Sequence, residues 1–484
     1  MATEKYGVYA QLVKSLANTP VSTDTNVIFI GASPTGDLNK AVLITSMADY
    51  AEKLGGAPGD GYNLTEAAIA AFSVAGINQV YMIPVSNSTE FDADDYIGDA
   101  ELFTGVYAIE NLLRENPTTV NILCAPSVTD SSVIAALNTI AKKADGHWVS
   151  FMVYDVLEYP EQLNEANAVN VAAVVKDKQL GDELADAVWG HVKTSGGYFV
   201  SGAAVRACLM AKSDANYGVP ARCGGNLAIP GIQGIFCDSS RGLTHTVAKS
   251  NSNPTVTFTL TEDGFTDYNG TLRCSIVLWN GSAPEYPVNV TQDVTFTDGE
   301  GVLTWTPTDY VTPAVANHKD DTVYYGGFAA VILTESAATQ LSADGICSYI
   351  NYGGGNWHTW GDHTSAFTAG SVSDERARYD SNIRMLIMLT NRFQLKYRFS
   401  VDDPMTLTMR NDVIQEENDY LAYIKSIGAI IGDATCSFKA DDNPVDNIAL
   451  GQFVWSIEST ITPPLKYAQL NVAYSSAGLS VYYE

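Results

Sequence analysis

The chain has 484 residues and 46% apolar side chains, too long for one ordinary core and sufficient for roughly two to four packed domains. Its 55 acidic and 27 basic side chains leave a net charge of −28, which argues against nucleic acid and anionic lipid as partners. No apolar run approaches bilayer length, and Met1–Tyr6 carries no basic region followed by an apolar stretch, so synthesis and folding in a cytoplasm are expected.

Residues 1–25 read as an extended N-terminal arm. Tyr6, Val8 and Ala10 alternate with Gly7, Tyr9 and Gln11, a strand pattern without a local hairpin mate. Val27–Ile30 then runs into a glycine-bearing loop, Gly31–Asp37, the way a phosphate-binding site begins. A P-loop needs Gly-Lys-Ser/Thr at its end, but the chain gives Gly36-Asp37-Leu38, a carboxylate where phosphate requires a cation. A dinucleotide fingerprint needs a third glycine opening a helix. Pro34 and a second strand at Ala41–Ser46 contradict it, leaving strand, turn and strand.

Residues 26–248 alternate strand and helix: a helix at Thr65–Ala75, a strand at Val80–Val85, a strand at Val120–Pro126, a helix at Ser131–Lys143 and a strand at Trp148–Asp155. Such alternation predicts a layered α/β domain. From 249 to 320 the period drops to two, in Thr255–Leu260, Thr271–Trp279, Val290–Phe296 and Val302–Trp305, with turn clusters such as Asp263-Gly264 and Asp298-Gly299 between them. This predicts an inserted antiparallel β-sandwich. Mixed α/β structure returns over 321–466. An amphipathic helix is expected at Ser373–Phe393, with Tyr379, Ile383, Leu386, Ile387 and Phe393 on one face and Arg384 and Arg392 opposite. A second helix is expected from about Asp412 to Ile427, stopped by Gly428. The C-terminal arm, 467–484, alternates again in Tyr467–Ala473 and Gly478–Tyr483 and predicts strands carrying Leu470, Val472, Leu479 and Val481. The fold class is thus mixed α/β and multi-domain, with extended arms at both ends.

Residues that could carry chemistry are few. His358 and His363 flank Asp362 in an aromatic, glycine-rich segment, but their spacing of five suits neither one face of a strand nor one of a helix, so a structural loop is expected. The cysteines at 124, 208, 223, 237, 274, 347 and 436 are scattered without a Cys-x-x-Cys pair and read as buried thiols. No Gly-x-Ser-x-Gly elbow is present. The acids at Asp92, Asp94 and Asp95, and at Asp441 and Asp442, read as solvated loops. No catalytic, metal or cofactor residue is assigned. The basic group Arg376, Arg378, Arg384, Arg392, Lys396 and Arg398 stands out in so acidic a chain. It reads either as a solvated helix face with local salt bridges or as a docking face for an acidic protein surface.

Several stretches together resemble the contractile tail sheath proteins of bacteriophages and phage-tail-like particles. Val27–Gly36, Ala41–Ser46 and Leu54-Gly55 resemble the family's first strand, loop and second strand. Ser201–Ala204 and Ser213–Ala221 resemble its Pro-Ser-Gly and Asp-x-x-x-Gly…Pro-Ala stretches, and Trp360-Gly361-x-x-Thr364 its Trp-Gly-x-Arg-Thr. The arginine helix, the helix before Gly428 and Asn443…Asn447-Ile448-Ala449…Gly451 follow in family order. His363 stands where the family has arginine, and Phe199-Val200 replaces two prolines.

The resemblance implies a mechanical subunit without an active site or cofactor. It would form hexameric rings or a helix with copies of itself, wrap a tail tube protein, and meet baseplate and tail terminator proteins. Contraction would drive the tube through a bacterial envelope. The family exchanges terminal strands between neighbours, which matches terminal arms without local mates. Its tube-facing domain is C-terminal, giving the arginine helix the expected role of tube attachment; reversal of Arg384 and Arg392 is then expected to weaken attachment more than folding. The subunit would be a virion tail component assembled in the host cytoplasm, with the sandwich on the outer surface. The competing expectations are an α/β enzyme with an unrecognised cleft, another tail or baseplate protein, and a surface adhesive.

Overall fold

The computed structural model describes residues 25–142, 148–156, 180–238, 241–249, 254–262, 264–280, 288–306, 316–325, 328–331, 333–367 and 375–483. Tyr6, Val8 and Ala10 lie outside them.

A nine-stranded sheet organises the first two-thirds of the chain. Its first six strands are β1 (Thr25–Ala32), β2 (Val42–Ile44), β3 (Val80–Ser86), β4 (Val120–Cys124), β5 (Phe151–Val156) and β6 (Ala185–Trp189). The order across the sheet is β2, β3, β1, β4, β5, β6, then Ile346–Asn351, Trp357–Trp360 and Ala228–Ile229. The run from β3 through Ile346–Asn351 is parallel, with Ile28 opposite both Tyr81 and Leu123; β2 and the last two strands are antiparallel. Parallel strands covered on both faces need apolar residues at every position, hence the unbroken Val27–Ile30. Val27 and Phe29 face one core with the helix Gly202–Tyr217, and Ile28 and Ile30 face another with Ser131–Lys142.

The Gly202–Tyr217 helix is buried on every side from Gly202 to Ala211 and reaches solvent only near its C-terminal end. Ala203, Ala204, Ala207 and Ala211 are all buried, allowing close approach to the sheet and to the segment before β3. That segment, expected as one α-helix, is α-helical over Asn63–Ala68 and π-helical over Ile69–Ala75. The Gly31–Asp37 loop closes on protein rather than leaving a cradle. Thr35 N–H donates to Leu54 O at 3.1 Å, and a Cβ on Gly36 would lie 2.7 Å from Leu54 Cδ2.

The period-two region forms one seven-stranded antiparallel sheet with its own core around Phe258, Cys274, Ile276 and Phe296. Its strands reach past the expected limits of 249 and 320, from Arg241–Gly242 to Ala316–Tyr325. The hairpin strands Val288–Thr297 and Glu300–Thr304 pair only beside their turn, so the sheet opens there into two halves that share the core. A smaller sheet joins Phe328–Val331, Ile232–Asp238, His191–Thr194 and Phe199–Val200.

The C-terminal part adds a further layer. The Asp380–Tyr397 helix packs Ile383 and Ile387 into the core beneath the central sheet. Its other side places Met385, Met388 and Leu389 against the Leu407–Ser426 helix and a two-stranded sheet, Ile430–Ser437 with Ser456–Ile461. Buried on both sides, the first helix lacks the solvent face its amphipathic pattern predicted. The second begins earlier than expected because the Thr406 side chain caps it, accepting from Met409 N–H at 3.1 Å. Gly428, at φ 81°, ends that segment.

The C-terminal arm departs from expectation. Residues 462–475 leave the body extended but without ladder partners among the described residues, and Ser476–Tyr483 is a 3-10 helix rather than a strand. Leu470 and Val472 are exposed by 85% and 83%, and Leu479 and Val481 are exposed as well.

One position tests the helix–sheet contact. A Cβ on Gly202 would stand 2.2 Å from the backbone oxygen of Gly190 and 3.2 Å from the Tyr349 ring. Backbone cannot yield as a side-chain tip can, so Gly202→Ala should cost about 2–3 kcal/mol, read as a lower urea midpoint with an unchanged slope.

Candidate functional site

The Gly202–Tyr217 helix, buried over most of its length, nevertheless carries Arg206 and Asp214 in its buried part, two turns apart. Both are 1% exposed. Arg206 donates through Nε to Asp186 of β6 at 2.8 Å, through Nη2 to Asp380 Oδ2 at 2.9 Å, and through Nη1 to the carbonyls of Gly224 and Gly361 at 2.9 and 3.0 Å. Arg384 grips both oxygens of Asp214 at 2.6 and 2.7 Å, donates to Arg222 O at 2.5 Å, and lies 3.7 Å from Asp380 Oδ1. An alternating chain therefore runs from Asp186 through Arg206, Asp380 and Arg384 to Asp214. It joins the central sheet, its covering helix and the C-terminal layer.

This overturns the docking role expected for Arg384 and Arg392. Arg384 is wholly buried. Arg392 is 8% exposed, ion-paired with Glu417 and stacked 3.7 Å above the Tyr420 ring. Both helix faces meet protein, so the polar stripe that predicted solvent marks a second interface instead. Lys396 is half-buried between Glu416 at 2.8 Å and Glu417 at 3.5 Å. Arg376 is exposed and paired with Glu183 at 3.1 Å. Arg378 is exposed, and Arg398 is exposed with its guanidinium 4.6 Å from the Phe399 ring. The six basic residues do not form one surface.

Close packing demands glycine around the chain. Gly224 N–H donates to Asp380 Oδ2 at 2.8 Å, and a Cβ there would lie 2.7 Å from Arg206 Nη2. Gly361, at φ 91°, turns its carbonyl toward Arg206 and would place a Cβ 3.1 Å from the Cys347 Cα.

The histidines serve structure. His363 Nδ1 donates to Arg378 O at 2.9 Å, and its ring stacks 3.7 Å from Phe367; burial pushes its pKa below the ordinary value. His358 contacts the Asn356 side chain and meets the Tyr352 ring edge-on. The six cysteines whose side chains are described are buried and unpaired.

Sequence reasoning missed a second buried polar cluster, beside the start of the Gly202–Tyr217 helix. Ser127 donates to Glu66 at 2.5 Å and lies 3.3 Å from His191 Nε2. Ser201 Oγ donates to Asp155 at 2.5 Å, and Ala203 N–H donates to the other oxygen of Asp155 at 2.9 Å. Burial pushes the Glu66 carboxyl up to about 7 against its hydrogen bond from Ser127, with Asp155 adding in the same direction. This arrangement fastens the helix N-terminus to the sheet.

At the surface, the two-stranded sheet leaves one edge of each strand without a ladder partner among the described residues, and Ile431 on it is 44% exposed. The C-terminal arm leaves from that sheet. Its first residues, Thr462–Lys466, cross an open cleft lined by Tyr217, Tyr352, Trp360 and Phe367. Lys466 is ion-paired with buried Asp362.

A layered α/β body with an inserted β-domain, a helical C-terminal layer and an extended arm is the fold of contractile sheath proteins. The chain is similar over 99% of its length, and over 99% of the other chain, to the sheath of an extracellular contractile injection system, PVC, in its contracted state, at a TM-score of 0.59 and 14% identity. It is also similar to a chain of the six-fold symmetrised anti-feeding prophage baseplate (TM-score 0.57, 14% identity, 98% of this chain and 100% of that one). The contracted helical sheath of the anti-feeding prophage matches at a TM-score of 0.54, with 14% identity over 98% and 100% of the two chains. No family model and no curated protein matches the sequence.

Two outcomes test the buried chain. Arg384→Ala strands Asp214 without its cation, leaves Asp380 with Arg206 alone, and should cost about 3–5 kcal/mol of stability, measured by chemical denaturation. The second is a pH effect. With Asp186, Asp214 and Asp380 facing only Arg206 and Arg384, one carboxylate is in excess, and burial pushes Asp186 up to about 7 from its ordinary 3.8 despite Arg206. A raised folded-state pKa means that folding takes up a proton. The resulting stabilisation is full below the unfolded value and is lost as pH rises through about 7. Asp186→Asn should therefore flatten the loss of stability between pH 4 and 7, seen as a smaller change in urea midpoint than in the unaltered chain.

Proposed function

We propose that this chain is the structural subunit of a contractile tail sheath that assembles around a tail tube and contracts to drive the tube through a bacterial envelope. The observation that carries this is the end-to-end fold match to sheath chains of contractile injection systems, two of them in contracted assemblies. Two local features support it. The arm carries alternating Leu470, Val472 and Tyr474, all more than 80% exposed, on a backbone without ladder partners among the described residues. The two-stranded sheet has free edges that can accept such a strand. Strand addition to a neighbour's sheet joins subunits through main-chain hydrogen bonds while letting the bodies rotate.

In this reading residues 1–25 and 467–484 act as inter-subunit arms, and the β-rich insertion faces outward. Arg376, Arg378 and Arg398 are the members of the basic group left at the surface to meet an acidic tube. Exposed pairs contribute only ~0.2–1 kcal/mol each, which suits an attachment made of many weak contacts and released together. Baseplate and terminator proteins would cap the two ends, within a particle assembled in the bacterial cytoplasm. The role is mechanical and uses no active site. A baseplate location is the second reading, favoured by the match to an anti-feeding prophage baseplate chain; the number of copies per particle distinguishes the two.

Negative-stain microscopy of the concentrated protein tests the proposal. Helical tubes or stacked rings are expected, and a compact monomer at high concentration would overturn it. Removing residues 468–484 should leave the urea midpoint within error, since the arm packs little against the body, yet abolish tubes. Tubes of normal length from the truncated chain would rule out the arm as the linkage.

A further inference from the structure

We propose that the buried carboxylate–guanidinium chain is a relay coupling the root of the N-terminal arm, at Thr25, to the root of the C-terminal arm, at Lys466. Its biological purpose rests on the sheath reading, but its physical content is a coupling within one chain. Thr25 is the first described residue after the N-terminal arm, and its hydroxyl donates to Asp214 Oδ2 at 2.8 Å. Asp214 is held by Arg384, which lies against Asp380 one helical turn away. The N–H of Asp380 donates to the carbonyl of Asp362 at 3.0 Å, and the Asp362 side chain holds Lys466. Arg206 supports the same junction, bonding both Asp380 Oδ2 and the carbonyl of Gly361 next to Asp362. Residues 441 positions apart in sequence (466 − 25) are thus linked by an unbroken run of polar contacts.

The run also has unused hydrogen-bonding capacity. Asp186 Oδ1, Asp380 Oδ1 and Arg384 Nε have no hydrogen-bond partner among the described residues. Arg384 therefore has a second arrangement within reach, turned toward the free oxygen of Asp380 at the expense of Asp214. A shift of Asp362, transmitted through the Asp380 N–H, favours that arrangement and loosens Asp214 from Thr25. Low surrounding polarity makes each exchange of partners matter more than it would in water. A pull on one arm is in this way felt at the root of the other, and by linkage the effect is reciprocal.

Hydrogen–deuterium exchange on the full-length, unassembled chain tests this. Thr25→Val removes only the hydroxyl contact, and Lys466→Met only the ammonium. Thr25→Val should speed exchange about fivefold at Thr462 and Asp380, whose N–H groups donate to Ala429 O and Asp362 O, and Lys466→Met should do the same at residues 25–28, the low end of ordinary coupling between sites. Exchange in β5 should be unchanged in both, which separates coupling from general loosening. Thr25→Ser keeps the hydroxyl and should restore slow exchange. In the double variant the effects should be less than multiplicative. Changes confined to the mutated root, or a double variant that multiplies the single effects, would overturn the relay. Because the readout needs no assembly, a chain that forms no tubes but shows the reciprocal effect would refute the sheath reading and leave the coupling standing.

Discussion

The architecture turns on one interaction, the burial of Asp186, Asp214 and Asp380 with Arg206 and Arg384 where the central sheet, the Gly202–Tyr217 helix and the C-terminal layer meet. Removing such charges from water costs several kcal/mol per ion even after relaxation, and only near-complete hydrogen bonding offsets it. That requirement sets the local geometry. Arg206 reaches two backbone carbonyls as well as two carboxylates, so the loops at Gly224 and Gly361 must approach within hydrogen-bond distance. They can do so only without side chains. An apolar interface of the same size would tolerate continuous sliding; a polar one is restricted to the few discrete arrangements in which its partners meet.

The parts of the fold that could be read from the sequence are those with one repeating environment. Val27–Ile30, Val80–Val85 and Val120–Cys124 lie in a parallel sheet covered on both faces, so nearly every position is apolar, Asn121 being the polar exception. The β-rich insertion has one buried face per strand, and strict alternation reveals it. The Asp380–Tyr397 helix fails this logic because it separates two environments, with aliphatic side chains toward the sheet, methionines toward the next helix and arginines at both seams. Periodicity assigns any polar stripe to water. The available signal was Asp380 and Arg384 at i, i+4 together with Arg206 and Asp214 on a helix that is otherwise apolar from Gly202 to Ala211. Two opposite-charge pairs on helices of that composition point to each other more than to solvent.

The tail divides differently. Alternation in residues 467–473 predicts a strand, but a strand is a relation between two segments, and this one has no partner within the described chain. Propensity alone cannot hold an isolated strand in water. The final residues take up a 3-10 helix because local hydrogen bonds are what remains when no ladder is on offer.

Simple magnitudes bound the energetics of such an arm. Along an extended segment Leu470, Val472 and Tyr474 project to one side, and burying each fully would yield roughly 1.5–3 kcal/mol. Fixing the backbone costs about 1–2 kcal/mol per residue, so ordering about seven residues around these three side chains costs more than their apolar face returns. The net gain must come from main-chain hydrogen bonds and from sharing one accepting sheet among several strands. The two-stranded sheet is itself below the size at which sheets are independently stable and relies on packing against the Leu407–Ser426 helix. Each added strand therefore stabilises the sheet that receives it as well as the arm it brings. In the proposed assembly, binding of one arm would raise the affinity for the next, and in the single chain the described part of the C-terminal arm has no ladder partner. That makes the proposed assembly cooperative by construction, with the unpaired arm as the resting form of the single chain.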